Sequence, residues 1–449
     1  MMFPVRFWRY FFLLWVLVAG SLGVAILIDN HRDLFESGSQ ALPQTSTASQ
    51  NDTTLAENGK QLLQLGNCLT CHTARGGVTG AGGRAFETPF GKVYSSNITP
   101  DLKHGLGSWN AHDFWRALHF GKSKDGRLLT PVFPYQHTTL ITREDSDALF
   151  AVLKSLEPTA NLKPILKPSE TLDWPYGTST ALAVWRSLFF TPGTYVQQVN
   201  QTPEWNRGAY IAQGLAHCAA CHSERNAWGA LAEVSDFSGG LMPVLNWYAP
   251  SLTSLQETGL ASKSVAEIVR FLKSGQSGQA LASGPMAEVV KHSTQHWRDE
   301  DLTAVSIYLQ ELALKVSRNE PKAPTNSDKK SQANTSPKVL SLGAKIYEKH
   351  CEQCHQNQGQ GIPGAYPSLA KNRAVLLDDP TNLVQAVLYG GYPAATQLNP
   401  RPFGMPPFIL TLDDREIAAV LTHLRTQWGN QVKEVTPLQV NRIRALQGP

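Results

Sequence analysis

The chain has 449 residues, 42% of them hydrophobic and 17% charged. At roughly 150 residues per domain this is enough for about three domains, and the composition excludes a disordered chain and a multi-pass membrane protein. Lys and Arg number 40 against 36 Asp and Glu, and the net charge of +4 is too slight a bias to argue for a nucleic-acid partner.

Arg6 and Arg9 precede an uncharged run at residues 10–28, which as a helix would be roughly 28 Å long and match a bilayer. Residues 1–30 are therefore expected to form an N-terminal transmembrane anchor. With the basic residues on the cytoplasmic side, the rest of the chain would be periplasmic, held at the inner membrane. Cleavage near Ala19-Gly20 is the alternative. The polar stretch 31–54 reads as a flexible tether.

All six cysteines then fall in three identical frames: Cys68-Leu-Thr-Cys71-His72, Cys218-Ala-Ala-Cys221-His222 and Cys351-Glu-Gln-Cys354-His355. The surroundings repeat as well, as an internal repeat should. A helical pattern leads into each frame, at 55–65, 205–215 and 340–349. An amphipathic helix closes each repeat after an acidic start, at Asp145, at Asp299 with Asp301, and at Asp414. Thr142 and Thr411, each three residues before an Asp, read as helix caps. The repeats are bounded at 55–157, 204–316 and 338–430, with a Pro- and Trp-containing connector at 158–203, a linker at 317–337 and a tail at 431–449. A helix is expected at 178–189 within the connector.

A Cys-x-x-Cys pair alone could be a disulfide, half a zinc site or a redox dithiol; the His that follows it in all three frames decides the reading. Two thiols at this spacing can bond to the vinyl groups of one haem, with the adjacent His as proximal iron ligand. Three covalently bound haem c groups are expected, on Cys68/Cys71, Cys218/Cys221 and Cys351/Cys354, with His72, His222 and His355 on the irons. The other ring nitrogen of each His needs an acceptor. Ser96, Pro250 and Pro367, at matching places in the repeats, are expected to supply it through their backbone carbonyls, an ordinary turn being the alternative. Arg75 and Arg225 are candidates for pairing with haem propionates, and an exposed Arg at a helix end is equally consistent.

The sixth ligand separates the repeats. Met286 stands 34 positions after Leu252 and Met405 36 after Leu369, while the matching place, 35 after Ile98, holds Phe133. Residues 55–157 contain no methionine. His137, four positions beyond Phe133, is read as the sixth ligand of the first haem, with an open or water-bound iron as the alternative. No role is assigned to His104, His112, His119, His292 or His423.

The three frames, Tyr94-Ser-Ser-Asn-Ile-Thr-Pro-Asp101, Trp247-Tyr-Ala-Pro-Ser-Leu-Thr253, Trp205-Asn-Arg-Gly-Ala-Tyr210 and Gly284-Pro-Met286 together resemble the triheme cytochrome c subunits of bacterial membrane-bound alcohol, gluconate, fructose and aldehyde dehydrogenases. The resemblance covers about residues 55–430. It implies an all-α fold of three tandem class I cytochrome c domains, here behind the N-terminal helix. It also implies an electron-transfer subunit, without substrate chemistry of its own, that passes electrons from a catalytic partner to ubiquinone. Phe133 departs from the members that serve flavin or quinone enzymes and matches those beside molybdopterin dehydrogenases with a [2Fe-2S] subunit. Such an aldehyde dehydrogenase is the expected partner. A flavin or quinone alcohol or sugar dehydrogenase remains the alternative, as does a peroxidase or gas-binding role for an open first haem.

Overall fold

The computed structural model describes residues 5–33, 51–160, 171–242, 245–319 and 336–446. Most of the tether and of the linker, together with 161–170 of the connector and the side chains of Arg6 and Arg9, lie outside the described residues. The chain forms two compact units, residues 1–60 with 71–195 and residues 61–70 with 196–449. The division runs through the first Cys-x-x-Cys-His frame, between Thr70 and Cys71.

In the first unit, the helix Ala111–Phe120 packs against Arg143–Lys154. Asn110 and Asp113 close the start of the former in a capping box, and Thr142 caps the latter by accepting from the Asp145 amide. These caps satisfy amides that have no partner within the helix. Phe114, Trp115, Leu118, Leu149, Val152 and Leu153 bury the apolar faces between the two helices. Ala85–Thr88 pairs antiparallel with Gly91–Tyr94. The connector contributes Ser179–Phe189, capped by Thr178.

In the second unit, Pro203–Tyr210 packs against Asp299–Asn319, and Pro337–His350 crosses Asp414–Thr426. The cap of Asp414–Thr426 is Asp413, which accepts from the Arg415 and Glu416 amides while the Glu416 carboxylate accepts from the Asp413 amide. Asp413 displaces the expected Thr411 because its carboxylate stands directly before the first helical residue. Asn382 and Tyr248 exchange two bonds of 2.7 and 2.9 Å, and Gln385 donates to Asn246 O at 2.9 Å, so residues 246–248 are fastened to the helix Thr381–Tyr389.

One close-packing device recurs. A Cβ on Gly59, Gly208 or Gly343 would lie 2.2, 2.0 or 2.3 Å from the backbone oxygen of Ala148, Ala304 or Ala419. Each glycine lets the helix entering a frame touch the backbone of the helix that closes the repeat, an approach any side chain would prevent.

The expected fold class is corrected. The structure is about 49% helical, and among the described residues three two-stranded antiparallel pairs accompany the helices, so the architecture is not all-α. The short pairs arise where the backbone doubles back around glycine, as at Gly91 and Gly278. Three tandem cytochrome c domains are not found either, because the cytochrome c family pattern occurs once, at residues 340–428. Among the described residues, no helix is long and apolar enough to cross a membrane. This overturns the N-terminal span, and with it the inner-membrane and periplasmic location inferred from that span. The helix Val5–Asn30 is instead joined to the first unit at its end, where Asn30 donates to Ala183 O and Ser187 Oγ at 3.1 and 3.0 Å.

Candidate haem attachment sites

Each frame begins a single helical turn: Cys68–Cys71, Ala219–His222 and Glu352–His355. In a helical turn, residues three apart fall toward one side, and three is the spacing of the two cysteines in a frame. Asn67 and His217, immediately before the first cysteine of their frames, have φ of +49° and +40°, which reverses the chain between the entering helix and the turn.

The histidines that follow the three cysteine pairs have the same surroundings. His72 Nδ1 lies 2.6 Å from Ser96 O, His222 Nδ1 2.7 Å from Pro250 O, and His355 Nδ1 3.0 Å from Pro367 O. Burial pushes all three imidazoles below their ordinary pKa, against the opposing pull of the carbonyls. They are therefore neutral near pH 7, with Nδ1–H donating and Nε2 carrying the lone pair that a metal binds. Burial, helped by the neighbouring cysteine, raises the Cys218 thiol to about 12 and the Cys351 thiol to about 11.

A feature not anticipated from the sequence completes each centre. Gly82, Gly239 and Gly361 donate their amides to the backbone oxygens of His72, His222 and His355 at 2.7, 2.8 and 3.0 Å. Their φ angles are +74°, +81° and +68°, and a Cβ would fall 2.4–2.5 Å from the backbone at Ser96, Ser251 or Tyr366. Glycine thus holds the histidine backbone and lets the carbonyl segment approach the ring. The separations from His to Gly differ among the frames, being 10, 17 and 6 residues, which hides the correspondence in a linear reading.

Of the other expected residues, Met286 is half-buried against Ala282, Ala287, Val290 and Ala394. Met405 is half-buried beside the core of the C-terminal segment, its backbone paired in both directions with Gly391 at 2.8 and 3.0 Å. His137 is buried in the short helix Tyr135–Thr138, just past Phe133 and Pro134. Arg75 is exposed. The Arg225 guanidinium donates to Ala220 O and Gly229 O, both at 2.8 Å, and so braces the second frame from inside. His119, given no role from sequence, is buried, stacks on Trp115 at 4.3 Å and meets Thr139 O through Nδ1 at 2.9 Å.

The donor set of each frame fits a covalently held haem c: two cysteines three residues apart, an adjacent neutral imidazole, and a backbone acceptor fixing its ring. The cytochrome c family pattern matches residues 340–428, which contain the third frame and Met405. The cytochrome c subunit of the quinone-dependent alcohol dehydrogenase of Gluconobacter oxydans is 34% identical over 414 residues, 89% of this chain and 84% of that protein. The chain belongs to the family of dehydrogenase cytochrome c subunits. Two further relatives of this cytochrome bear on its partner. The gluconate 2-dehydrogenase cytochrome c subunit of Pantoea cypripedii is 33% identical over 400 residues, 87% of this chain and 89% of that protein. A nicotinate dehydrogenase subunit of Pseudomonas putida is 37% identical over 383 residues, 84% of this chain but 30% of that longer protein. Membership implies electron transfer through covalently bound haem c, a group that exchanges one electron at a potential set by its axial ligands and surroundings.

Proposed function

We propose that this cytochrome subunit relays electrons from a catalytic dehydrogenase subunit to ubiquinone, and that it holds three haem c groups, one on each Cys-x-x-Cys-His frame. The observation that carries the reading is the threefold recurrence of a neutral histidine beside two cysteines with Nδ1 on a backbone carbonyl. His222 with Met286 and His355 with Met405 would ligate the second and third irons, and His72 with His137 the first. Thioether sulfur favours a higher potential than a second imidazole, so the first centre would be the lowest of the three. The protein's own contribution is fixed geometry: the carbonyls orient the imidazoles and the glycines hold the carbonyls in place.

The favoured partner is a molybdopterin aldehyde dehydrogenase with a [2Fe-2S] subunit. Phe133 at the methionine place supports it, through the resemblance noted from the sequence. A quinone- or flavin-dependent alcohol or sugar dehydrogenase is the second reading, supported by relatives matched over most of their length. Purification of the complex tests both: aldehydes should reduce the haems through a molybdenum-containing partner, and added ubiquinone should reoxidise them. Reduction by alcohols or sugars through a quinone or flavin subunit would favour the second reading, and haems that ubiquinone leaves reduced would refute the proposed acceptor.

A further inference from the structure

The helix Tyr135–Thr138 is one turn long and cannot hold itself together, because a single turn gains too few hydrogen bonds to offset the ordering it requires. Its order comes from outside. Tyr135 is fully buried, with the Phe190 ring 4.8 Å from its own and the Arg186 guanidinium 5.1 Å above it. Gln136 Nε2 donates to Phe189 O at 2.6 Å, and Thr138 Oγ1 to Leu118 O at 2.7 Å. Gly121, at φ +56°, is where Arg186 and Tyr135 converge, since a Cβ there would be 2.8 Å from both side chains.

Arg186 is buried, and among the described residues its hydrogen bonds include Nη2 to Phe120 O at 2.7 Å and Nε to Asn30 Oδ1 at 2.9 Å. Asn30, at the end of the N-terminal helix, is fixed in turn through Nδ2 by Ile26 O, Ala183 O and Ser187 Oγ at 2.9–3.1 Å. A buried guanidinium is costly unless its donors are met, so the contacts that meet them are strongly specified. They form one chain, Asn30 to Arg186 to Tyr135, which ends two residues before His137.

We propose that Arg186, oriented by Asn30, is a positioning residue for the sixth ligand of the first haem: it fixes Tyr135 and thereby the turn that presents His137. The inference rests on the His72/His137 reading and adds to it that the N-terminal helix and the connector control ligation at that centre. Arg186→Gln removes the charge and the forked donor set, Arg186→Lys keeps the charge alone, and Asn30→Ala removes only the orienting oxygen.

The test uses the full holoprotein, with electron paramagnetic resonance of the ferric state and carbon monoxide binding to the ferrous state. Wild type should show a bis-histidine low-spin signal and no carbon monoxide adduct at the first haem. Arg186→Gln should raise the fraction of that haem open to carbon monoxide by about tenfold or more, the consequence of losing a charge-assisted hydrogen bond. Arg186→Lys and Asn30→Ala should show smaller rises. The far-red sulfur-to-iron band of the two methionine-ligated haems should persist, separating a local opening from global misfolding; Asn30→Ala decides the matter if Arg186→Gln does not fold. Unchanged ligation in Asn30→Ala and in every folded Arg186 variant, with the wild-type bis-histidine signal present, would overturn the positioning role alone. A wild-type first haem without that signal would overturn the His137 reading and this inference together.

Discussion

Gly361→Ala isolates the device that presses a carbonyl against His355, the proposed proximal ligand of the third haem. The added Cβ would sit 2.5 Å from Tyr366 O, 2.6 Å from Pro367 C and 2.7 Å from Pro367 O, all backbone atoms that cannot rotate away. An alanine at φ +68° costs about 1–2 kcal/mol, and relieving contacts this short adds about 1–3 kcal/mol of overpacking. A relaxation that moves Pro367 O away from His355 Nδ1 would lengthen the present 3.0 Å contact. That hydrogen bond gives the imidazole anionic character, which stabilises ferric more than ferrous iron. If its whole net value of about 0.5–1.5 kcal/mol separated the two oxidation states, losing it would raise the potential by about 20–60 mV. Spectroelectrochemical titration and thermal unfolding of the full holoprotein measure both effects. The third haem should shift upward while the others stay fixed, and unfolding should come at lower temperature. Gly82→Ala and Gly239→Ala should act in the same way on the first and second haems. A Gly361→Ala protein with wild-type melting and wild-type potentials would refute the reasoning.

Asp33→Asn should destabilise the first unit by about 3–5 kcal/mol in chemical denaturation, because the buried Asp33 carboxylate faces Arg116 at 3.0 Å and Lys122; a loss below about 1 kcal/mol would show that these charges find other partners. Burial pushes His119 down to about 4 from an ordinary 6.5, against the pull of the Thr139 carbonyl. The unfolded chain therefore takes up this proton first, and stability falls as the pH drops from about 6.5 to about 4, by on the order of 3 kcal/mol. His119→Phe should flatten that slope in pH-dependent unfolding, and an unchanged slope would remove His119 as its source. Met405→His should abolish one of the two sulfur-to-iron bands and lower the potential of the third haem; an unchanged absorption and potential would exclude Met405 as its ligand.

The candidate site was legible where it is written in contiguous residues. The three Cys-x-x-Cys-His frames need only their own spacing, and the carbonyls of Ser96, Pro250 and Pro367 occupy matching places in a visible repeat. Thr142 is recognisable as a cap because capping is local, whereas Asp413 displaces Thr411 by a choice that only helix geometry makes. Gly82, Gly239 and Gly361 could not be matched in advance, since loops of different length separate them from their histidines. The Asn30–Arg186–Tyr135 chain joins residues far apart in sequence, so no periodicity announces it. The apolar run at 10–28 suggested a membrane span by length and composition, but helix apolarity alone did not reveal the polar anchoring of Asn30 and Asp33 within the first unit.

The most direct test of the three-haem reading is the intact mass of the purified holoprotein, read with peptide mapping of the haem-bearing fragments. Three haem additions are expected, one each on the peptides containing Cys68/Cys71, Cys218/Cys221 and Cys351/Cys354. A single addition, confined to the Cys351/Cys354 peptide within the matched residues 340–428, would contradict it.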